Sequence, residues 1–240
     1  FADATSMDFA RDAEASFAFL RGRRDVDARR VGFVGHSEGG LIAPIIAARN
    51  RDVAFIVLLA GPGVPGDQIL LAQTELIARA SGTNADMVAK NNERLRDLLV
   101  LVKSSVDRGT LETQIRSRLS DLPAEQVEIQ VQAMTSPWMR AFVHYDPAPT
   151  LGQVTCPVLA LFGEKDLQVP AEMNMAAIRS ALTAAGNRNV EAAILPGLNH
   201  LFQSARTGAP SEYGEIEETM SPAALTHVAT WVLRQSERSQ

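Results

Sequence analysis

The chain has 240 residues, which suits one α/β-sized domain with room for an insertion. Apolar residues make up 46% and charged residues 21%, and the formal net charge of −5 gives no global basic field for nucleic acid or an anionic membrane. Cys156 is the only cysteine, which excludes an internal disulfide and a multi-thiolate metal site, and no stretch approaches the roughly 20 apolar residues of a bilayer span.

In chain order, Thr5 and Asp8 have capping-box spacing, and Phe9, Ala13, Phe17 and Leu20 then recur on one helical face. The arginines that follow (Arg21, Arg23, Arg24, Arg29, Arg30) have no interleaved aromatics and read as a solvated helix end and loop. A short strand, Val31–Val34, leads into Gly35-His36-Ser37-Glu38-Gly39-Gly40. Leu41–Arg49 then reads as a helix with Pro44 in its first turns. Val53–Ala60 is a continuous β-rich run closed by Gly61-Pro62-Gly63, as expected of a strand buried on both faces.

From Pro65 to Thr150 only amphipathic helices are predicted. Leu95, Leu98, Leu99, Val102 and Val106 line one face, and Val127, Val131 and Met134 line another. Strands return at Pro157–Phe162 and Val190–Leu195, separated by a helix carrying Met175, Ile178 and Leu182 and ended by Gly186. Ser221-Pro222 opens a last helix with Leu225, Val228, Ala229 and Val232 as its expected buried stripe. The alternation predicts a parallel sheet with helices on both faces. Residues 1–64 and 151–240 form that core, and residues 65–150 form an inserted helical lid.

Gly35-His36-Ser37-Glu38-Gly39 fits G-x-S-x-G between a strand and a helix, a context that presents the serine on a strained turn. The flanking glycines are expected to avoid collision with the neighbouring strand or helix. A nucleophilic serine needs a base, and the base needs an orienting acid. Asp166 follows one predicted strand end in Gly163-Glu164-Lys165-Asp166, and His200 follows the next in Gly197-Leu198-Asn199-His200. Nucleophile, acid and base thus occur in the order Ser, Asp, His at successive strand ends.

These three turns resemble those of bacterial α/β-hydrolase-fold serine esterases, in the dienelactone-hydrolase and serine-aminopeptidase branches. The resemblance implies an α/β-hydrolase fold with an inserted lid, Ser37 as nucleophile, Asp166 as acid, His200 as base and the backbone N–H of Glu38 in the oxyanion hole. It implies ester cleavage through an acyl-enzyme intermediate, without a metal or an organic cofactor. A peptidase or an acyltransferase would use the same triad, and a non-catalytic fragment of a larger hydrolase would keep the fold. Members of this family carry roughly a hundred residues and four strands ahead of the elbow. This chain is therefore expected to be the C-terminal part of the fold, with those N-terminal strands absent. Its Val31–Val34 edge is expected to pair with an N-terminal companion segment or a second copy, which would also supply the second oxyanion donor.

Trp138 and Phe142 are candidates for the acyl pocket of a small-molecule ester substrate. Other polar residues have structural readings. Glu164 caps or faces solvent, the Glu38 side chain pairs locally, His36 packs or hydrogen-bonds in the elbow, and His144 is structural. His227 is a helix-face residue, Asp67 a helix cap, and Glu215, Glu217 and Glu218 a solvated loop without histidine partners. Cys156 is expected to act as a small buried hydrophobe. The first residue is Phe1 rather than Met, and no signal peptide is visible, so compartment is left open.

Overall fold

A computed structural model of the chain describes residues 3–104 and 107–238. Four strands, β1 (Phe33–His36), β2 (Ile56–Leu59), β3 (Val158–Gly163) and β4 (Val190–Leu195), form one parallel sheet in the order β1-β2-β3-β4. The register pairs His36 with Leu59, Leu59 with Leu161, and Gly163 with Leu195, so all four C-terminal ends lie on one side. β2 and β3 are buried at every position, as apolar parallel strands covered on both faces are.

α1 (Ser6–Arg21) packs on α2 (Glu38–Arg49), and α2 packs on β1 and β2. The cap of α1 closes as its spacing predicts, with Asp8 Oδ2 accepting from the Thr5 N–H at 2.8 Å. The buried side of α1 differs in part from the predicted face. Ala10 and Phe17 reach the core while Leu20 is exposed, because the core meets a narrower strip of the helix. β1 lies two residues later than the predicted Val31–Val34. Pairing still begins early, since the Val31 carbonyl accepts from the Ala54 N–H at 2.9 Å. α2 starts at Glu38 rather than Leu41, so Pro44 sits in its second turn and removes one ladder bond to Gly40.

Between β2 and β3 run α3 (Gly66–Ala80), α4 (Ala85–Lys103), α5 (Arg108–Arg118), α6 (Ala124–Thr135), α7 (Pro137–His144) and α8 (Pro147–Leu151). The central helices of this block own a separate core built from Leu98, Leu99, Val102, Leu111, Ile115 and Val131. Val106 of the predicted stripe lies outside the described residues. Phe142 and Ile69 join the main core instead, so the block is fixed to the sheet at its first and last long helices. α8 packs on α2 and on α9 (Ala171–Ala184), and its Leu151 belongs to the main core.

α10 (Pro222–Arg238) corrects the sequence reading most clearly. Its core side is Ala224 and Trp231, the latter edge-on to Phe55 at 5.9 Å between ring centroids. The expected stripe divides: Val228 and Val232 are partly buried against the main core, whereas Leu225 and Ala229 face outward. Leu225 is 53% exposed, and with Val228, Ala229 and Val232 it lines an apolar groove that Val34 of β1, itself 55% exposed, completes. The helix carries apolar residues over more than one face, and the largest ring rather than the longest stripe decides which face turns inward. β1 is the edge of the sheet on this side.

Candidate active site

The residue after β1 is Ser37, with φ 53° and ψ −117°. A side chain held in such a sparsely populated region costs on the order of 1–3 kcal/mol and persists only where the surroundings enforce it. Here the Ser37 N–H donates to the Leu59 carbonyl at 2.8 Å, and the Ser37 carbonyl accepts from the Gly40 N–H at 2.8 Å. The turn is tight enough that a Cβ on Gly35 would come within 2.0 Å of the Gly39 carbonyl oxygen. One expectation fails here. A Cβ on Gly39 would meet nothing within 4 Å, whereas one on Gly40 would lie 2.6 Å from Gly61 Cα. The glycine needed for close packing against the neighbouring strand end is therefore Gly40, one place beyond the pentapeptide.

Asp166 stands beyond the C-terminal end of β3 and His200 beyond that of β4. His200 Nδ1–H donates to Asp166 Oδ2 at 2.8 Å, and both side chains are buried. The other carboxylate oxygen, Oδ1, accepts the backbone N–H groups of Gln168 and Val169, each at 2.8 Å. The Asp166 carboxylate is thus fixed by its own loop, and the imidazole is held with Nδ1 as the donor, which leaves Nε2 as the acceptor nitrogen. The two turns are tied to each other as well. The Lys165 N–H donates to the Leu198 carbonyl at 2.8 Å, and the Gly197 N–H donates to Glu164 Oε2 at 2.8 Å. Glu164 therefore joins the Asp166 turn to the His200 turn.

Ser37 is linked to this pair through its neighbour. His36 Nε2–H donates to the His200 carbonyl at 2.8 Å, and the two imidazole centroids are 4.7 Å apart. Burial lowers the pKa of His36 from its ordinary value, so the ring is neutral at pH 7. On the other side of Ser37, the Glu38 carboxylate accepts from Trp138 Nε1 and from Ser6 Oγ, both at 2.7 Å. Trp138 lies parallel to Phe142, with 5.0 Å between ring centroids. The two aromatic residues singled out in the sequence thus lie together, and one of them touches the residue after Ser37.

The remaining polar candidates have structural partners. His144 Nδ1 is 2.7 Å from the Arg140 carbonyl, within its own helix. Asp67 pairs with Lys103 at 2.5 Å, and Glu218 accepts from the Ser204 N–H. His227 is half-buried on α10. In the arginine cluster, Arg21 pairs with Asp52, Arg23 with Asp25, and Arg29 and Arg30 with Asp27. Cys156 is half-buried against the main core, and burial pushes its thiol up to about 11, which leaves it an inert hydrophobe at neutral pH.

Asn199 was not singled out by sequence, yet it organises the turn that carries His200. It is fully buried, its Oδ1 accepts from the Leu201 and Gln203 N–H groups at 3.0 and 2.9 Å, and its Nδ2 donates to Gln203 Oε1 at 2.9 Å. Those bonds support Phe202 at φ 60°. An asparagine beside a glycine turn is a signal for such side-chain-to-backbone bonding, but its long-range purpose is not written in the local sequence. Among the described residues, no group of three or more His, Cys, Asp or Glu side chains is placed to hold a metal ion, and no helix is long and apolar enough to cross a membrane.

A strained serine after the edge strand β1, with a buried histidine–carboxylate pair beyond the ends of β3 and β4, defines an α/β-hydrolase core. Residues 1–209 match the alpha/beta hydrolase family, and the chain belongs to it. It is 24% identical over 227 residues to Esterase EstD of Thermotoga maritima, covering 93% of this chain and 47% of that protein. It is also 24% identical over 193 residues to a 2-hydroxy-6-oxononadienedioate/2-hydroxy-6-oxononatrienedioate hydrolase of Paraburkholderia xenovorans, covering 80% of this chain and 63% of that one. The chain thus spans between about half and two-thirds of the curated relatives it matches. Among solved structures, a Klebsiella pneumoniae protein assigned as a dienelactone hydrolase shares the fold, with a TM-score of 0.51 and 16% identity over 95% of this chain and 62% of that one.

Proposed function

We propose that the chain carries the catalytic triad of a serine hydrolase acting on carboxylic esters, with Ser37 as nucleophile, Asp166 as acid and His200 as base. The observation that carries the reading is the buried 2.8 Å bond from His200 Nδ1 to Asp166 Oδ2. It fixes the tautomer that a general base needs and leaves Nε2 to accept a proton. The strained Ser37 and the bond between His36 and the His200 backbone support assignment of the serine as its partner. The esterase named among the relatives supports the substrate class.

In this mechanism His200 Nε2 takes the Ser37 Oγ proton as Oγ attacks the ester carbonyl carbon. The tetrahedral intermediate collapses, and the alcohol leaves with the proton held on His200. Water then attacks the acyl-serine, giving its proton to His200, and the carboxylic acid departs as Ser37 recovers its hydrogen. Asp166 steadies the imidazolium at each stage. The Glu38 backbone N–H lies in the first turn of α2, where it has no intrahelical partner, and it points positive charge at the oxyanion. Trp138 of α7 faces the acyl side of the pocket, with the core residue Phe142 stacked against it.

The second oxyanion donor is assigned to a polypeptide that pairs the open edge of β1, either a companion segment or a second copy of this chain. The exposed Val34 and the apolar groove beside it support that assignment. Lack of one such donor would slow the chemical step by about 10²–10³-fold.

Hydrolysis of short-chain aryl esters tests the triad. Ser37→Ala is expected to bring turnover to background, and Asp166→Asn to lower kcat by about 10⁴-fold through the wrong tautomer. Retention of about a tenth of the activity in Ser37→Ala would remove the nucleophile assignment, since loss of a true nucleophile costs far more. If Glu164→Gln were far more damaging than Asp166→Asn, the carboxylate would be misassigned.

A further inference from the structure

The Glu38 side chain is a half-buried carboxylate whose two observed partners are neutral donors from different parts of the fold. One partner, Ser6 Oγ, is in the first turn of α1. The other, Trp138 Nε1, is in the first turn of α7, the last long helix of the inserted block. Both bonds are 2.7 Å and end on the same oxygen, Oε1. Three elements distant in sequence therefore meet on one atom, and that atom belongs to the residue following Ser37.

The indole needs such an anchor. Rotation about its terminal sp³–sp² bond is broad, so torsional preference alone does not fix where the ring edge lies. Stacking on Phe142 restricts the ring to a plane but permits sliding within it. Phe142 itself is immobilised, because a Cβ on Gly66 at the start of α3 would lie 2.4 Å from its carbonyl oxygen and 2.7 Å from its ring. The charge-assisted bond to Glu38 removes the remaining freedom. It also sits at the N-terminus of α2, where the helix dipole favours a carboxylate.

We infer that the Glu38 carboxylate is a positioning residue that latches Trp138, and with it the α7 end of the lid, to the nucleophile elbow, and so sets the length of acyl chain the pocket accepts. The specificity role rests on the hydrolase reading given above, whereas the latch itself does not. Its action runs through Trp138, and it is separate from the contribution of the Glu38 backbone N–H. Loosening the latch lets the indole slide away from Ser37 and opens space for longer acyl groups.

The two tryptophans of the chain allow a test that needs no turnover. In a ¹⁵N-tryptophan-labelled sample, the indole signal lost in Trp138→Phe identifies Trp138. That signal is expected downfield and slow to exchange in the parent chain, to stay so in Glu38→Gln, and to move upfield with faster exchange in Glu38→Ala. An indole signal unaffected by Glu38→Ala would overturn the latch. For specificity, Glu38→Ala and Trp138→Phe are each expected to raise kcat/KM for octanoate relative to acetate aryl esters by about fivefold, mainly through KM. The double variant is expected to match either single one, as members of one interacting pair do. Unchanged ratios, or independent and additive changes, would overturn the specificity role. Absence of both ester turnover and fluorophosphonate labelling of Ser37 in the parent chain would reject the hydrolase reading and this role with it, while the indole signal still decides the latch.

Discussion

At the residue scale, the site gathers three kinds of constraint around a few atoms: a strained backbone at Ser37, a buried charge-assisted pair at His200 and Asp166, and a second imidazole pressed against the first. His36 makes the last of these sensitive to pH. Its pKa is lowered chiefly by burial, and the groups facing it are His200 and Asp166. The unfolded chain therefore binds a proton at His36 near pH 6.5 that the folded chain takes up only at lower pH. In that interval the unfolded state holds more protons, so stability is full above pH 6.5 and falls as the solution is acidified. Denaturant midpoints measured between pH 7.5 and 5 are expected to drop, and His36→Gln, which keeps a donor for the His200 carbonyl, is expected to flatten the slope. An equal slope in the variant would show that His36 binds its proton alike in the folded and unfolded states, so that another group is responsible.

At the scale of elements, sequence and structure agree where one local pattern decides the outcome. The strained turn at Ser37, the two turns after β3 and β4, and the helical character of the inserted block all follow from glycine placement, β-rich runs and helical periodicity. The pattern was insufficient where two faces compete. On α10, Val228 and Val232 of the expected stripe pack partly against the core, yet Leu225 and Ala229 face outward and Trp231 takes the deepest position, its ring on Phe55. Gly40 rather than Gly39 proved to be the packing glycine, since which one faces Gly61 depends on how α2 leaves the strand. The Glu38–Trp138 bond joins residues a hundred positions apart, and no local signal encodes it. The inserted block has its own core, and this leads to an expectation about stability. Ile115 is fully buried there, so Ile115→Ala is expected to cost about 2–5 kcal/mol locally. Hydrogen exchange should accelerate in α4, α5 and α6 while β2 and β3 remain protected. Equal acceleration in the strands would mean that the inserted block and the sheet unfold as one unit.

At the scale of the whole molecule, the sheet ends at β1 beside an apolar groove, and Leu233, 64% exposed, extends that groove along α10. An open edge next to contiguous apolar surface favours association with another polypeptide. The isolated 240-residue chain is expected to self-associate in light scattering, and Val34→Lys is expected to shift it toward monomer by placing a charge in the groove. A fully active monomer would show that the edge needs no partner for catalysis. The central claim, however, is that the fold makes Ser37 an activated nucleophile, and reaction with a fluorophosphonate followed by peptide mapping tests it most directly. A single adduct on Ser37 is expected, absent in Ser37→Ala and strongly slowed in His200→Ala. An unlabelled parent chain, or an adduct that persists when Ser37 is replaced, would contradict the account.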